Sequence, residues 1–273
     1  MSSNVLLLRA PSQDSDPYHS ILTAAGYNPF SVPVLETAFT NLGQLSRIMR
    51  RGPQKHYAAV IITSGRACEA WRNTVDVLEN DQLRDIDSSW STTPFYVVGK
   101  TTVSLLRAIG SAHPHSPFSP VDIRGESSGT SEQLAKFILS DLGSSPPVLP
   151  FLYLTGDKNR ETLPEILRGG NVGLNPLQVY RTQGSSTFAE DLKLALESHR
   201  EFNSAWIVFF APSAAEFVLP HLRRHFDLSS PIVRIASIGP TTAAFLKEKL
   251  DMEVHAVAEK PTPECLLQAM VAA

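Results

Sequence analysis

The sequence predicts an α/β fold class, with doubly wound parallel sheets in two domains that arose by internal duplication. Three observations carry that prediction. Short apolar runs alternate with segments of helical period along the whole of the 273 residues. A set of strand and turn sequences recurs in the same order in the second half of the chain at a nearly constant spacing. Both copies contain a strand that ends in Gly-x-Thr-Thr and runs straight into a helix, at Gly99–Thr102 and Gly239–Thr242. Alternating strands and helices bury a parallel sheet between two helical layers, and about 130 residues suffice for one such domain.

Taken in order, the strand candidates are Val5–Leu8, Ala59–Ile62, Phe95–Val98, Phe151–Leu154, Trp206–Phe210 and Val233–Ile238. Each is rich in branched or aromatic residues. Helical period marks Tyr18–Ala25, Ser131–Leu139, Arg160–Leu167, Phe188–His199, Ala214–Phe226 and Thr242–Leu250 between them. Two helix starts are explicit: Thr130-Ser-Glu-Gln133 has capping-box spacing, and Thr262 stands before Pro263 and Glu264. The stretches Ala112–Pro120 and Ser144–Pro150 are rich in proline and serine and read as loops.

The repeat is traced through four elements. The turn Gly26-Tyr27-Asn28-Pro29 returns as Gly173-Leu174-Asn175-Pro176, and 173 − 26 = 147. The same offset of 147 carries Val5-Leu6-Leu7-Leu8 onto Leu152-Tyr153-Leu154-Thr155 and Val60–Arg66 onto Ile207–Ser213. Val98-Gly99-Lys100-Thr101-Thr102 matches Ile238-Gly239-Pro240-Thr241-Thr242 with the offset reduced to 140.

The paired turns give the first hint of function. Strand, Gly, any residue, Thr-Thr, helix presents hydroxyls and free N–H groups at a helix N-terminus, where the dipole favours anions. Thr63-Ser64-Gly65-Arg66 and Ala211-Pro212-Ser213 have the same form. Four such helix starts, two per copy, would lie at the carboxyl ends of parallel strands, where open α/β sheets bind ligands. They suit a large ligand with several carboxylates. The alternative, that these threonines and serines only cap helices, stands beside that reading.

Composition narrows the classes. Apolar residues make up 42% and charged residues 19% of the chain, as in ordinary folded domains. A net charge of −3 offers no bulk attraction to nucleic acid or to an anionic membrane surface. The longest dense apolar run, Trp206–Ala211, is far short of a membrane span, and the first residues lack the basic segment of a secretion signal. Cys68 and Cys265 lie far apart within amphipathic segments and suggest a reducing compartment without a disulfide framework. Together these features predict a cytoplasmic protein, with no membrane or nucleic-acid partner.

Familiar catalytic patterns fail on their physical requirements. Gly99-Lys100-Thr101 resembles the end of a phosphate-binding loop, but the glycine needed five residues earlier is Pro94, which has a fixed φ and no N–H. No HExxH, CxxC or post-strand GxGxxG occurs, which gives no support to zinc hydrolysis or a dinucleotide cofactor. His113-Pro114-His115 lies in a Pro/Ser loop without a carboxylate or cysteine at ligand spacing, so no metal site is expected. Lys158 and Arg160, in the loop Gly156–Glu161, either reach an anion or form solvated surface, and Arg50-Arg51 and Arg223-Arg224 read as exposed helix ends.

Tyr180 stands apart. It follows the Asn175-Pro176 turn at the point equivalent to Pro33, since 180 − 147 = 33. If the copies form two domains, Val179–Thr182 and Val32-Pro33-Val34 are the natural crossings, which puts a phenol near a cleft; a packed strand tyrosine is the other reading.

These residues resemble one family. VLLLR at the first strand, Asp16-Pro17-Tyr18, Val32-Pro33-Val34-Leu35, IITSGRACEA, YVVGKTT, Gly156-x-x-x-Arg160-Glu161, Val179-Tyr180-Arg181-Thr182, FFAPSAAEF, IGPTTAAFL and Lys260-Pro261-Thr262-Pro263 follow one another as in uroporphyrinogen-III synthases. The resemblance spans nearly the whole chain. It implies two doubly wound domains joined by a two-strand hinge with a cleft between them: residues 1–35 with 179–273 as a discontinuous domain, and 36–178 as the inserted one. It also implies cyclisation of hydroxymethylbilane, with loss of water and inversion of ring D and without cofactor or metal; a monomer is expected because no long exposed apolar stripe is evident, with transient contact to the preceding enzyme of the pathway as a further partner.

The resemblance makes Tyr180 the candidate general acid and puts Thr63, Ser64, Arg66, Thr102, Thr241 and Thr242 on substrate-contact turns, together with Gly99, Ala211, Ser213 and Gly239 in the same turns. Two positions depart from the family pattern: Ala211 stands where many members have serine, and Gly65 where proline is usual. A non-catalytic two-domain protein that closes on a polycarboxylate is the competing class, and turnover separates the two.

Overall fold

The all-apolar runs become the central strands of two parallel sheets. The computed structural model describes residues 3–12, 14–80, 89–143, 147–199 and 204–273; residues 144–146 of the expected Ser144–Pro150 loop lie outside these. In chain order the elements are β1 (Asn4–Leu8), α1 (Pro17–Ala24), β2 (Asn28–Ser31), β3 (Leu35–Phe39), α2 (Leu42–Arg51), β4 (Ala59–Ile62), α3 (Gly65–Asn80), β5 (Phe95–Val97), α4 (Gly99–Ala112), β6 (Ile123–Arg124) and α5 (Ser131–Leu142). The second half continues with β7 (Phe151–Thr155), α6 (Thr162–Gly169), β8 (Leu174–Gln178), β9 (Tyr180–Gly184), α7 (Phe188–Ser198), β10 (Ala205–Phe209), α8 (Pro212–Leu222), β11 (Val233–Ser237), α9 (Pro240–Leu250), β12 (Ala256–Val257) and α10 (Pro263–Ala272).

The chain divides into two units, Met1–Glu36 with Gln183–Ala273, and Thr37–Thr182. The discontinuous unit holds the sheet β12-β11-β10-β1-β2 and the other holds β6-β5-β4-β7-β8, with every pair parallel. The two orders coincide when β10 answers to β4 and β1 to β7. Each sequence copy therefore gives strands to both sheets: the first supplies β1 and β2 to one and β4 to β6 to the other, and the second does the reverse. The strands β3 and β9 pair as a separate two-stranded sheet, and the division between the units falls inside both.

Strand register corrects the repeat alignment by one residue. Leu6 pairs with Ile207, and Leu152 pairs with Val60. The β10/β4 offset is thus 207 − 60 = 147, while β1/β7 gives 152 − 6 = 146. A one-residue slip turns every side chain to the other face. The core confirms the pairing, since Leu6 and Ile207 share one apolar cluster and Val60 and Leu152 share another. Both strands are apolar without alternation, so their sequences carry no face signal.

A second correction concerns the Asn-Pro turns. Pro29 and Pro176 lie within β2 and β8, the outer strands of their sheets. At an edge the missing N–H faces away from the ladder, which is where proline is tolerated in sheets.

Helix starts follow the expected chemistry. Thr130 Oγ1 accepts the Gln133 N–H at 3.2 Å, and Gln133 Oε1 reaches back to the Gly129 N–H at 2.7 Å. Thr262 Oγ1 accepts from the Cys265 N–H at 3.3 Å with Pro263 at the first helical position. In the Thr37–Thr182 unit, α2, α3 and α4 cover one face of the sheet through Leu45, Met49, Trp71 and Leu106. Helices α5 and α6 cover the other through Leu134, Ile138, Leu163 and Leu167. The buried indoles of Trp71 and Trp90 keep their N–H groups bonded, to Phe118 O at 3.1 Å and Met49 O at 2.9 Å. Both cysteines are free; burial pushes the Cys68 thiol up to about 12, which keeps it protonated and inert.

Candidate functional site

In an open sheet of this order, ligands bind beyond the carboxyl ends of the strands where the order reverses. In the Thr37–Thr182 unit that point lies between β4 and β7. The strand β4 leads through Thr63 and Ser64 into α3, and β7 leads through Gly156 into the loop before α6. The two turns are tied together from below. The Tyr153 phenol, 2% exposed, donates to Asn159 Oδ1 at 2.8 Å and also bonds the Thr63 side chain. Burial pushes this phenol above its ordinary value, against those two hydrogen bonds. Ser64 Oγ accepts the Ala67 N–H at 3.3 Å, so it caps α3 and keeps its own proton to donate.

Tyr180 sits on this arrangement as the first residue of β9. It is half-buried, with its ring packed onto Gly156, and the Arg66 guanidinium carbon stands 5.8 Å from the ring centroid. Arg66 is exposed and donates to Thr182 Oγ1 at 3.4 Å. The structure therefore brings Thr63, Ser64, Arg66 and Tyr180 into one neighbourhood. Lys158 and Arg160 are exposed in the adjoining loop.

The threonine turns form matched pairs. Thr101 and Thr241 are exposed, whereas Thr102 and Thr242 are 6% and 4% exposed. Neither α4 nor α9 receives a side-chain cap; their cap residues are Val98 and Gly239. The capping alternative thus does not describe these threonines. The hydroxyls of Thr102 and Thr242 have no hydrogen-bond partner among the described residues, yet among those residues no fully buried side-chain nitrogen or oxygen is left unpaired. Each hydroxyl consequently keeps an opening to solvent or ligand. Gly99 adopts a left-handed φ of 74°, the conformation that favours glycine, and turns β5 sharply into α4. Gly239 is extended, with its carbonyl accepting from Ser237 Oγ at 3.2 Å.

In the discontinuous unit the reversal lies between β10 and β1. Ala211 caps α8 through its extended backbone, without a side-chain bond, and Ser213 is exposed one residue beyond Pro212. The β1 side is filled by Arg9, which pairs with Asp16 at 3.0 Å and lies 4.9 Å from the Tyr18 ring centroid and 5.5 Å from that of Phe210. Asp16 also caps α1, accepting from the N–H groups of Tyr18 and His19. Burial alone would raise its carboxyl; the N–H groups of Ser12 and His19, the Arg9 charge and the Tyr18 N–H outweigh it and hold the carboxyl below its usual value.

Sequence reasoning gave no role of their own to Gly156, Asp157 or Tyr153, although Gly156 stands in the quoted Gly156-x-x-x-Arg160-Glu161 motif. Their contacts join residues 24 to 90 positions apart (180 − 156 = 24; 153 − 63 = 90), which no local pattern encodes. In the His113 loop, His113 Nε2 bonds Asp76 Oδ1 at 2.7 Å, which ties that side chain to α3. No group of three metal-ligating side chains occurs among the described residues.

Comparison with known proteins follows this geometry. Residues 16–268 match the family model described as uroporphyrinogen-III synthase HemD. A uroporphyrinogen-III synthase of Schizosaccharomyces pombe is 30% identical over 268 residues, covering 98% of this chain and 96% of that protein. One of Saccharomyces cerevisiae is 26% identical, covering 97% and 94%. Among solved structures, a uroporphyrinogen-III synthetase from Helicobacter pylori aligns over 100% of this chain and 99% of its own, at 19% identity and a TM-score of 0.47.

Proposed function

The chain belongs to the uroporphyrinogen-III synthase family and is an enzyme of tetrapyrrole synthesis, and on that premise we propose how it works as a cyclising lyase. It takes the linear tetrapyrrole hydroxymethylbilane and closes it to uroporphyrinogen III with loss of one water and inversion of ring D. The observation that carries the residue roles is Tyr180, its phenol resting on Gly156 at the sheet's reversal point with the Arg66 guanidinium over its ring.

The chemistry assigns distinct tasks to these groups. The pyrrole nitrogen's electron pair expels the hydroxyl from the terminal carbon, and the Tyr180 phenol supplies the proton that lets it leave as water. The cation formed is then attacked by the substituted carbon of ring D, the bond from that carbon to the methylene of ring C breaks, the methylene cation so released is captured by the free α-carbon of ring D, and loss of the proton from that carbon restores the pyrrole with the ring inverted. The bilane also closes without enzyme to the uninverted isomer, so the protein must favour one folded geometry, and positioning outweighs proton transfer.

The substrate's eight carboxylates are received by helix N-termini and hydroxyls: Ser64 and Thr102 in one unit, the Ala211–Ser213 and Gly239–Thr242 turns in the other. Such receptors avoid burying many cations beside one another. Ala211 contributes its backbone N–H alone. The reading calls on no cofactor. We place the enzyme in the cytoplasm as a monomer; no helix among the described residues is long and apolar enough to cross a membrane.

The test is an isomer assay. Freshly generated hydroxymethylbilane is supplied with and without the purified protein, the products are oxidised, and the porphyrins are resolved chromatographically. Predominantly isomer III is expected. Isomer I at the rate without protein would sink the assignment and leave a polycarboxylate-binding module.

A further inference from the structure

Resting on the reading of Tyr180 as the acid, we infer that Gly156 and Asp157 are positioning residues that fix where its phenol stands. Three consecutive residues at the end of β7 hold the start of β9. Thr155 O accepts the Val179 N–H at 2.9 Å, Gly156 lies under Tyr180, and Asp157 Oδ1 accepts the Thr182 N–H at 3.3 Å. The phenol is bracketed on both sides in sequence by bonds to the neighbours of the residue it rests on.

Glycine has two uses, conformational freedom and room. Gly156 is not among the residues with a left-handed φ, so its backbone would accept alanine. Room is what it provides. A methyl group there would lie 2.7 Å from the Tyr180 hydroxyl oxygen and closer still to Cζ and Cε2, and these are the three nearest heavy atoms. All three belong to the far end of a side chain that can rotate away. Alanine therefore displaces the hydroxyl while leaving the backbone in place, and a displacement of about 1 Å at a reacting group costs on the order of 10²-fold in rate.

Asp157 supplies the second constraint. It is exposed and takes part through an acceptor oxygen, so asparagine, which keeps that oxygen, should serve in its place. Its task differs from that of Arg66, which reaches the same Thr182 through the hydroxyl.

A double-mutant cycle on uroporphyrinogen III formation tests the inference. Gly156→Ala is expected to lower kcat by about 10- to 100-fold with KM within about threefold of wild type and the melting temperature little changed. In a Tyr180→Phe background, which has already lost the hydroxyl, the same change should cost less than about threefold. Asp157→Asn should stay within about twofold of wild type, while Asp157→Ala loses severalfold in kcat.

Fully additive effects of Gly156→Ala and Tyr180→Phe, or a loss confined to KM, would overturn the inference. If Gly156→Ala does not fold, the Asp157→Asn and Asp157→Ala pair decides: equal activities reject the acceptor role. A fully active Tyr180→Phe is a separate result, which removes the acid reading itself.

Discussion

The two sheets share one strand order, yet their reversal points are finished in opposite ways. Between β10 and β1 the chain fills the position with itself. Arg9 is clamped by the Asp16 carboxylate, with 22% and 5% of the two side chains exposed, and is covered by Tyr18 and Phe210, whose rings meet edge to face at 5.2 Å. Tyr18 adds a bond to Pro261 O at 3.1 Å and so ties the segment before α10 to the same plug. Between β4 and β7 the corresponding position carries a glycine, a half-buried phenol and a serine with a proton to give. One copy of the topology is closed by an ion pair and two rings, while the other leaves a phenol and a serine hydroxyl in place without closing over them.

The largest effect that could break this contrast is on turnover. Tyr180→Phe should lower kcat by about 10²-fold or less, the range of a general acid, and leave the melting temperature unchanged because among the described residues no hydrogen bond to the Tyr180 hydroxyl holds the fold. An unchanged rate would remove Tyr180 from the mechanism.

Asp16→Ala should do the reverse. It deletes a helix cap, typically about 1 kcal/mol, and strips a largely covered arginine of its counter-charge, so a loss of about 2 kcal/mol and several degrees in melting temperature is expected. Specific activity per folded molecule should survive. If Asp16→Ala abolished turnover without moving the melt, the sealed position would be a chemical one and the contrast would fail.

The sign of the pH dependence sharpens the same point. The folded Asp16 carboxyl lies below its unfolded value, so its contribution is fully present above the unfolded range, near about 3.9, and is lost as pH falls through the folded value. The stability gap between wild type and Asp16→Ala should therefore be constant from neutral pH to about 5 and narrow below about 4. A gap that persisted unchanged to about pH 2 would mean that the carboxylate charge is not what holds Arg9.

How far the sequence discloses this molecule depends on how local each signal is. The central strands announce themselves because burial on both faces favours apolar side chains throughout Ala59–Ile62 and Ala205–Phe209 and over residues 151–154. That same uniformity hid the one-residue slip between β1 and β7, since an all-apolar strand looks alike from either face. The outer strands β6 and β12 are two residues long and have no period to detect, and the prolines of β2 and β8 suggested turns. Ser64, Arg66 and the threonine pairs were legible as repeated turn chemistry. What makes Tyr180 a defined group is a glycine after another strand, and a glycine after a strand reads as nothing more than a turn.

The smallest predicted effect bears on what the two units still have in common. Thr102 and Thr242 occupy matching places on α4 and α9, both nearly buried and both with hydroxyls that bond nothing among the described residues. Valine has nearly the shape of threonine. Replacing either residue removes no protein hydrogen bond, so the melting temperature should stay within about a degree or two, or rise slightly, since an unpaired hydroxyl in a covered site is costly. A hydroxyl reserved for a substrate carboxylate should instead show itself in catalysis, as a loss of roughly 3- to 20-fold in kcat/KM, the worth of one hydrogen bond to a charged group. Similar losses from Thr102→Val and Thr242→Val would mean that both copies kept their receptor while only one kept its acid. A loss from one alone would extend the divergence of the reversal points to the turns beside them.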